Sequence, residues 1–443
     1  IRGQKSDFDE WRSMGNTGWG FDDVLPYFKK SEHNDAGGDD WRGTGGPLHV
    51  CTLERDLHPI CEHFIRAAEE CGVPRNSDFN GETQEGAGLY QNTAKNGLRM
   101  SAARAFLHPA RSRSNLRVAT RAHATAVRFQ QQRAVGVDYL HNGEPRQANA
   151  KREVVICAGA INSPQLLQLS GVGPRDLLSH HAIEIVSDLA AVGQNLQDHL
   201  GIDYQYRSRV QTLNDQLHSW PGKLWHGAHY VLRRRGPLSL GVNQAGGFYR
   251  SREGLAQPNM QLYFSPVTYT TAPSNTRPLM NPDNFSGFSL GIQPTRPTSR
   301  GYLNIQSRDP LQAPSIVPNY LSTDYDIQEM MEGVRFIRTL ASTQPLAEII
   351  DSEITPGPEL SSDEELLTDI RARCSTVYHP VGTCRMGPDS QRDAVDSRLR
   401  VYGVEALRVV DASVFPTLTS GNTNAPTIMV AEKAADMMLA DQR

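Results

Sequence analysis

The sequence predicts an α/β protein in which a doubly wound parallel sheet is joined to an α+β part built on an antiparallel sheet. Three observations carry this. The run Val154-Val155-Ile156-Cys157-Ala158-Gly159 is a continuous apolar strand ending in small residues before a helix over 163–169, the way a buried parallel strand meets a crevice. A second short apolar strand over 407–410 leads through a polar Gly/Asn-rich turn into a helix from Pro426 to Leu439. Between them, 204–373 sets alternating strands such as 260–264 and 302–306 among proline-rich loops, which suits an antiparallel sheet with one face packed and the other open to a cavity.

Taken in order, Phe21, Val24, Leu25 and Phe28 fall on one helical face ahead of a Gly/Asp-rich loop over 34–46. A second helix is expected over 57–71, stopping at Gly72. Ser101 can cap a helix to residue 110, and β-type runs follow at 116–119, 125–129 and 135–141. After the antiparallel region come a helix over 324–341 and an acidic cluster over 361–369. The chain then reaches Tyr378-His379-Pro380-Val381-Gly382-Thr383-Cys384-Arg385-Met386-Gly387, where a histidine beside a proline, in a run without periodicity, indicates a fixed irregular loop. Proline suits the first turn of a helix, so Asn424 is expected just ahead of the helix that Pro426 opens, at its positive dipole end. These residues offer one possible general base, one amide hydrogen-bonder and one anion-stabilising helix end. On residue type alone, a lone histidine is more often structural and an Asn before a helix is commonly only a cap.

Bulk properties exclude several classes. The 443 residues suffice for two or more domains, and a net charge of -4 gives no reason to expect nucleic acid. Arg233-Arg234-Arg235 is too short to change that and reads as a solvated turn. No apolar run approaches the roughly 18 residues of a transmembrane segment. Six scattered cysteines suit free thiols in a reducing compartment, and the spacings of Cys51, Cys61 and Cys71 with His49, His58 and His63 match no common zinc pattern, so no metal is expected. There is no G-x-S-x-G, and the pairs Asp22-Asp23 and Glu364-Glu365 face solvent on this reading, so hydrolase and glycosidase chemistry lack support.

The run from His379 to Gly387, with 407–411 and 421–432, resembles the C-terminal signature of the glucose-methanol-choline oxidoreductases, in their choline dehydrogenase-like and alcohol dehydrogenase branch. The likeness extends in order through Ile1-Arg2-Gly3, Gly18-Trp19-Gly20-Phe21, Asn96-Gly97-Leu98-Arg99, Ala158-Gly159-Ala160-Ile161-Asn162-Ser163-Pro164, Ser170-Gly171-Val172-Gly173-Pro174 and Val192-Gly193-Gln194-Asn195-Leu196-Gln197-Asp198-His199. It implies an FAD-binding, Rossmann-like domain, and FAD-dependent oxidation of a primary alcohol to an aldehyde. By resemblance His379 is the base, Asn424 holds the second catalytic position, and Asp411, Ala412, Asn424, Pro426, Thr427 and Ala124 contact the flavin nucleotide. A hydroxynitrile lyase on the same scaffold, or an inactive fragment, is the alternative.

The resemblance also implies an arrangement of domains: 1–95 as cap and substrate-side region, 96–203 as part of the FAD domain, 204–375 as the substrate domain, and 376–443 as the catalytic return to the FAD domain. The G-x-G-x-x-G that should grip a dinucleotide is not in the sequence. In the family it precedes Ile-Arg-Gly, so the expectation is a chain lacking on the order of 80 N-terminal residues and the ADP half of the site, far more than frayed ends lose. Expected partners are a small-molecule alcohol and an electron acceptor, oxygen or a quinone-type carrier. The expected location is cytoplasmic or peripherally membrane-associated. Relatives often have Glu where this chain has Gln244, which cannot neutralise a cation, so a neutral alcohol is expected over choline.

Overall fold

The structure, a computed structural model, describes residues 1–52, 54–270 and 281–441. Its largest sheet runs in the spatial order Ile350–Thr355, Leu200–Ser208, Gly287–Pro294, Met260–Ser265, Ala245–Tyr249, Gly86–Leu89, with every neighbouring pair antiparallel. Ser375–Thr376 pairs with the start of the second of these strands. Register places Phe264 opposite Leu290 and Ala245, and Tyr263 opposite Gly291 and Gly246. Because successive side chains point to opposite faces, Leu262, Phe264, Leu290 and Ile292 share one face while Gln261, Tyr263 and Gln293 share the other.

The apolar face is covered by the helices Cys61–Glu70 and Asp324–Ser342, whose Phe64, Val334 and Ile337 join its core. Phe64 stacks on Phe264 with ring centroids 5.1 Å apart. Burying such a side chain is worth roughly 1.5–3 kcal/mol, which makes this face the anchor of the sheet. The polar face satisfies itself: Gln293 donates to Gln261 Oε1 at 3.0 Å, and Tyr263 donates to Gln293 Oε1 at 2.9 Å. Gln261 in turn donates to Tyr90 Oη at 3.2 Å.

A second core forms around a parallel pair, Val154–Ile156 with Leu407–Val409, in which Leu407 lies opposite Val154. The helices Gly159–Leu169 and Asn424–Ala440 contribute Leu167, Met429 and Val430 to it, and Lys5–Ser13 and Phe21–Ser31 bring in Phe8, Trp11 and Phe28. Trp11 packs on Phe415 at 4.9 Å. Pro164 sits inside the helix Gly159–Leu169 and cannot donate to the carbonyl of Ala160. The Thr383 hydroxyl takes that place, donating to Ala160 O at 2.6 Å, and so ties the histidine loop to this helix.

Several elements differ from the sequence expectation. Residues 116–119 form no strand, and the runs after them are an antiparallel meander, Ala122–Gln130, Arg133–His141 and Glu144–Asn149, closed by short turns. The strand near 302 is Gly301–Asn304 and belongs to a separate sheet with Gln194–Leu196 and Ser315–Val317. The helix expected from 57 starts at Cys61, because Pro59 keeps the residue before it out of the helical region. The turns after Ser101 are a π-helix, Ala103–Leu107, followed by the short helix His108–Ala110. The C-terminal helix begins at Asn424 itself, and Thr423 just before it makes no side-chain capping bond.

Candidate active site

The histidine loop is held by backbone pairing on two sides. Val381 exchanges hydrogen bonds with Gln197 at 2.8 and 3.1 Å, while Gly382, Cys384 and Met386 donate to the carbonyls of Ala412, Ser413 and Val414. Gly382 has φ +88°, and a Cβ there would meet Asn195 O at 2.6 Å, so only glycine lets the strands approach. Asp198 completes the clamp: its Oδ1 accepts from the His379 backbone N–H at 2.8 Å, and its Oδ2 accepts from Tyr320 and Thr376.

Thus fixed, His379 is buried and meets His199, with Nδ1 to Nδ1 at 3.0 Å and the rings nearly perpendicular at 87°. His199 Nε2 lies 2.8 Å from Thr295 O. A carbonyl oxygen only accepts, so His199 Nε2 carries the hydrogen. Burial pushes His199 down to about 4, opposed by the Thr295 carbonyl, so the ring is neutral near pH 7 and its Nδ1 is bare. That bare nitrogen accepts from His379 Nδ1–H. Burial, with the His199 ring beside it, pushes His379 down to about 3 against the pull of Asp198. His379 is therefore also neutral, and its Nε2 is the unprotonated nitrogen, 3.1 Å from Asn422 Nδ2, which donates to it.

Asn422 leads into the helix Asn424–Ala440 and lines a cavity of about 290 Å³, together with Tyr90, Asn92, Asn243, Tyr263, Asn424 and Ala425. Asn424 is exposed in this cavity, while the amide against His379 is that of Asn422, two residues earlier. Pro426 is buried beneath the first turn, and Thr427 donates to the Thr423 carbonyl at 2.7 Å. Asp411 is buried and committed to protein groups: it accepts from Gly159 N at 2.9 Å, Ser163 Oγ at 2.5 Å and Ser413 N at 2.8 Å. It thereby ties the ends of the two parallel strands together, with Ala412 directly after it. Ala124 lies exposed on the meander, opposite Tyr139. The structure thus brings Asn422 and Asn424 to one cavity wall with His379 directly behind Asn422, sets Asp411 and Ala412 behind the histidine loop, and leaves Ala124 on a different element.

Gln244, read from the sequence as a substrate-facing residue, does not line the cavity. It is buried, and its Oε1 accepts from the His58 backbone N–H at 2.7 Å. Side chains alternate along the extended chain, so it is the neighbouring Asn243 that reaches the cavity. His199, Asp198 and Asn422 carried no assigned role in the sequence. The two histidines lie in recognisable motifs, but nothing local signals that they meet.

Two features suit a large, electron-accepting planar ligand. The helix Asn424–Ala440 has no side-chain cap, so its first N–H groups open toward the cavity at the positive end of a long helix dipole. At the carboxyl end of the parallel strand, Cys157 is exposed, and a Cβ on Gly159 would meet nothing within 4 Å. That leaves room for a ligand beside the backbone. Among the described residues no helix is long and apolar enough to cross a membrane, and no cluster could hold a metal.

Comparison with known proteins agrees with this arrangement. The N-terminal GMC oxidoreductase profile matches residues 1–201 and the C-terminal one residues 297–431. The chain is 42% identical over 443 residues to an alcohol dehydrogenase [acceptor] of Pseudomonas putida, covering 99% of this chain and 79% of that protein. It is 42% identical over 441 residues to an oxygen-dependent choline dehydrogenase of Serratia proteamaculans, covering 98% and 78%. Among solved structures, a formate oxidase of Aspergillus oryzae studied for FAD modification superposes with a TM-score of 0.90 at 27% identity, over 100% of this chain and 82% of that one. A pyridoxine 4-oxidase from Mesorbium loti gives 0.87 at 28%, over 99% and 81%.

Proposed function

Because this chain belongs to the GMC oxidoreductases, a family of FAD-dependent enzymes, we propose that it oxidises a neutral primary alcohol at the cavity wall formed by Asn422, with His379 directly behind it. FAD, when bound, supplies the hydride acceptor for the carbinol C–H bond. The chain's own residues manage the proton. His379 Nε2 takes the hydroxyl proton, and the hydrogen-bond chain through His199 to Thr295 keeps that nitrogen bare and aimed. The amide of Asn422 donates to the same nitrogen; when an alcohol binds, its hydroxyl takes that place and the amide holds the alcohol oxygen, a positioning role. Asn424, Ala425 and the uncapped helix end offer donors to an acceptor-rich ring edge. Asp411 and Ala412 act by fixing the strand ends beneath, and Pro426 and Thr427 by shaping the first helical turn. An adenine contact at Ala124 rests on resemblance alone.

The observation that carries this reading is the forced tautomer of His379. Its test is anaerobic: a primary alcohol should bleach the flavin absorbance of the holoenzyme, and the His379→Ala holoenzyme should stay yellow on the same timescale. Persistent colour in both would remove the reading.

The preference for a neutral alcohol rests on the charges of the cavity. Its carboxylates are spoken for: Glu32 pairs with Arg2 at 2.6 Å and Arg42 at 3.3 Å, and Asp78 lies 3.4 Å from Arg42. An ammonium group would therefore find no spare counter-charge among these lining residues. Comparing kcat/KM for choline and neutral alcohols of similar size tests this, and a choline preference that survives high salt would reveal a cation site. The division at residues 95, 203 and 375 is kept as part of the proposal; the two cores support the boundaries near 203 and 375, whereas 1–95 feeds both, Phe8 to Phe28 one and Ile60 to Ala87 the other. The electron acceptor, oxygen or a quinone-type carrier, completes the turnover.

A further inference from the structure

The hydrogen bonds that fix the His379 tautomer begin and end in different parts of the molecule. One end is the Thr295 carbonyl, just past the strand Gly287–Pro294 of the antiparallel sheet. The other is Asn422, in the turn that leads into the helix Asn424–Ala440 of the second core. Both ends must keep their places, because a carbonyl that drifts out of reach of His199 Nε2 no longer decides which nitrogen carries the hydrogen.

Thr295 is buried, yet few bonds hold it. Its N–H donates to Asn259 O at 2.8 Å, its hydroxyl has no hydrogen-bond partner among the described residues, and Pro297, two residues on, has no N–H. The next residue supplies the anchor. Arg296 reaches the helix Lys5–Ser13 with two nitrogens: Nη2 pairs with Glu10, and Nη1 lies 3.7 Å from Asp7 Oδ1. Asp7, Glu10 and Trp11 stand three and four residues apart and share one side of that helix. The same side grips the segment ahead of Asn422. Asp7 accepts from Ser420 N at 2.7 Å and from Ser420 Oγ at 2.9 Å, Glu10 accepts from Thr417 Oγ1 at 3.2 Å, and Trp11 Nε1 donates to Thr417 O at 3.1 Å. Asp7 is wholly buried; burial pushes its carboxyl up, and the Arg296 charge is the first influence that opposes this.

We propose that Arg296 is a positioning residue for His379: by bridging Asp7 and Glu10 it holds the Thr295 carbonyl in place relative to the turn that carries Asn422. The contacts then close into a ring, from Thr295 through His199, His379 and Asn422, and back through Ser420, Asp7 and Arg296. Without Arg296 the carbonyl loosens and the His199 hydrogen is free to move to Nδ1. His199 would then donate to His379 Nδ1 and drive the His379 hydrogen onto Nε2, the nitrogen that must be bare to take a proton. This inference rests on His379 as the base of the proposed oxidation.

The experiment compares Arg296→Met, which keeps much of the stem and removes the charge, with Arg296→Lys, which keeps the charge but has one nitrogen for two carboxylates. In the holoenzyme, stopped-flow flavin reduction by a primary alcohol should slow about tenfold to a hundredfold in Arg296→Met, with KM nearly unchanged, and less in Arg296→Lys. In a His199→Phe background, where no ring reads the carbonyl, Arg296→Met should cost nothing further. A second readout does not use turnover. With ¹⁵N-labelled histidine, the His199 ring signals, identified by their loss in His199→Phe, should report one Nε2–H tautomer in the wild type and a mixture in Arg296→Met. If Arg296→Met does not fold, Arg296→Met with Asp7→Asn, which removes the orphaned buried charge, takes its place. The proposal is overturned by an unchanged reduction rate, by an equal loss in both backgrounds, or by unchanged His199 signals. A wild type that no alcohol bleaches, with His199 signals that still change in Arg296→Met, would remove the alcohol reading and leave the clamp standing.

Discussion

His199 and His379 meet Nδ1 to Nδ1 at 3.0 Å, and because Thr295 O fixes the hydrogen on the far nitrogen of His199, the near nitrogen must accept. One carbonyl, two rings away, thereby decides which nitrogen of His379 is free. Replacing His199 with Phe keeps a ring but removes that constraint. We expect kcat to fall about tenfold or more, KM to change little, and the pH dependence of kcat to shift. An unchanged pH profile would reduce His199 to a packing residue.

His379→Ala should retain flavin and lose about 10²- to 10⁴-fold in turnover, the usual worth of a positioned base. Stopped-flow flavin reduction is the direct measurement. Near wild-type rates would take His379 out of the mechanism.

Asn422→Ala and Asn424→Ala separate the two amides of the turn. Only Asn422 donates to His379 Nε2, at 3.1 Å, so its loss should slow flavin reduction more than the loss of Asn424. The reverse order would return the second catalytic position to Asn424.

Both histidines sit below their unfolded value of 6.5, His199 at about 4 and His379 at about 3, because burial disfavours the charged ring. The unfolded chain therefore binds protons that the native state refuses. Stability contributed by the pair is fully present above pH 6.5 and is lost as pH falls toward 4 for His199 and toward 3 for His379, at up to about 1.4 kcal/mol per pH unit for each ring. Denaturant midpoints at pH 7 and pH 5 should differ in the wild type. The difference should shrink in His199→Phe, which removes one of the two titrations.

Thr383→Val removes the hydroxyl that donates to Ala160 O beneath Pro164 while keeping the side-chain shape. A buried carbonyl left unpaired costs about 1–3 kcal/mol. Equilibrium unfolding in urea should show that loss without a change in slope, and an unaltered midpoint would mean that water replaces the hydroxyl.

Much of this architecture was legible because it is written in short-range pattern. The alternation Met260-Gln261-Leu262-Tyr263-Phe264 announces a strand with one apolar and one polar face, and the structure puts helices on the first and the cavity against the second. The Val154 and Leu407 strands were legible as buried, but their pairing was not, since more than two hundred residues separate them. A separation of 180 residues likewise hid the meeting of His199 with His379. Asn422 was missed for a different reason. Gly421 takes φ +120°, and this bend carries Asn422 against His379 while the next turn exposes Asn424. A backbone reversal inside a Gly/Asn-rich turn leaves no periodicity to count. The run Leu116-Arg117-Val118-Ala119 misled because a short apolar alternation forms a strand only where a partner is available.

The ladder that binds Val381 to Gln197 on one side and Gly382 to Met386 against 412–414 on the other has a consequence for how chain length can vary. Inserting or deleting a single residue anywhere between 195 and 199, 379 and 386, or 411 and 414 would slip the pairing by one position and turn His379 to the opposite side of its own backbone. Length variation among related enzymes, and any engineered insertion, should therefore accumulate elsewhere. The meander turn at 142–143, whose residues are exposed, can absorb extra residues with no effect on where the imidazole points, whereas the turn at 131–132 is tied to Glu405 through the Gln132 carbonyl.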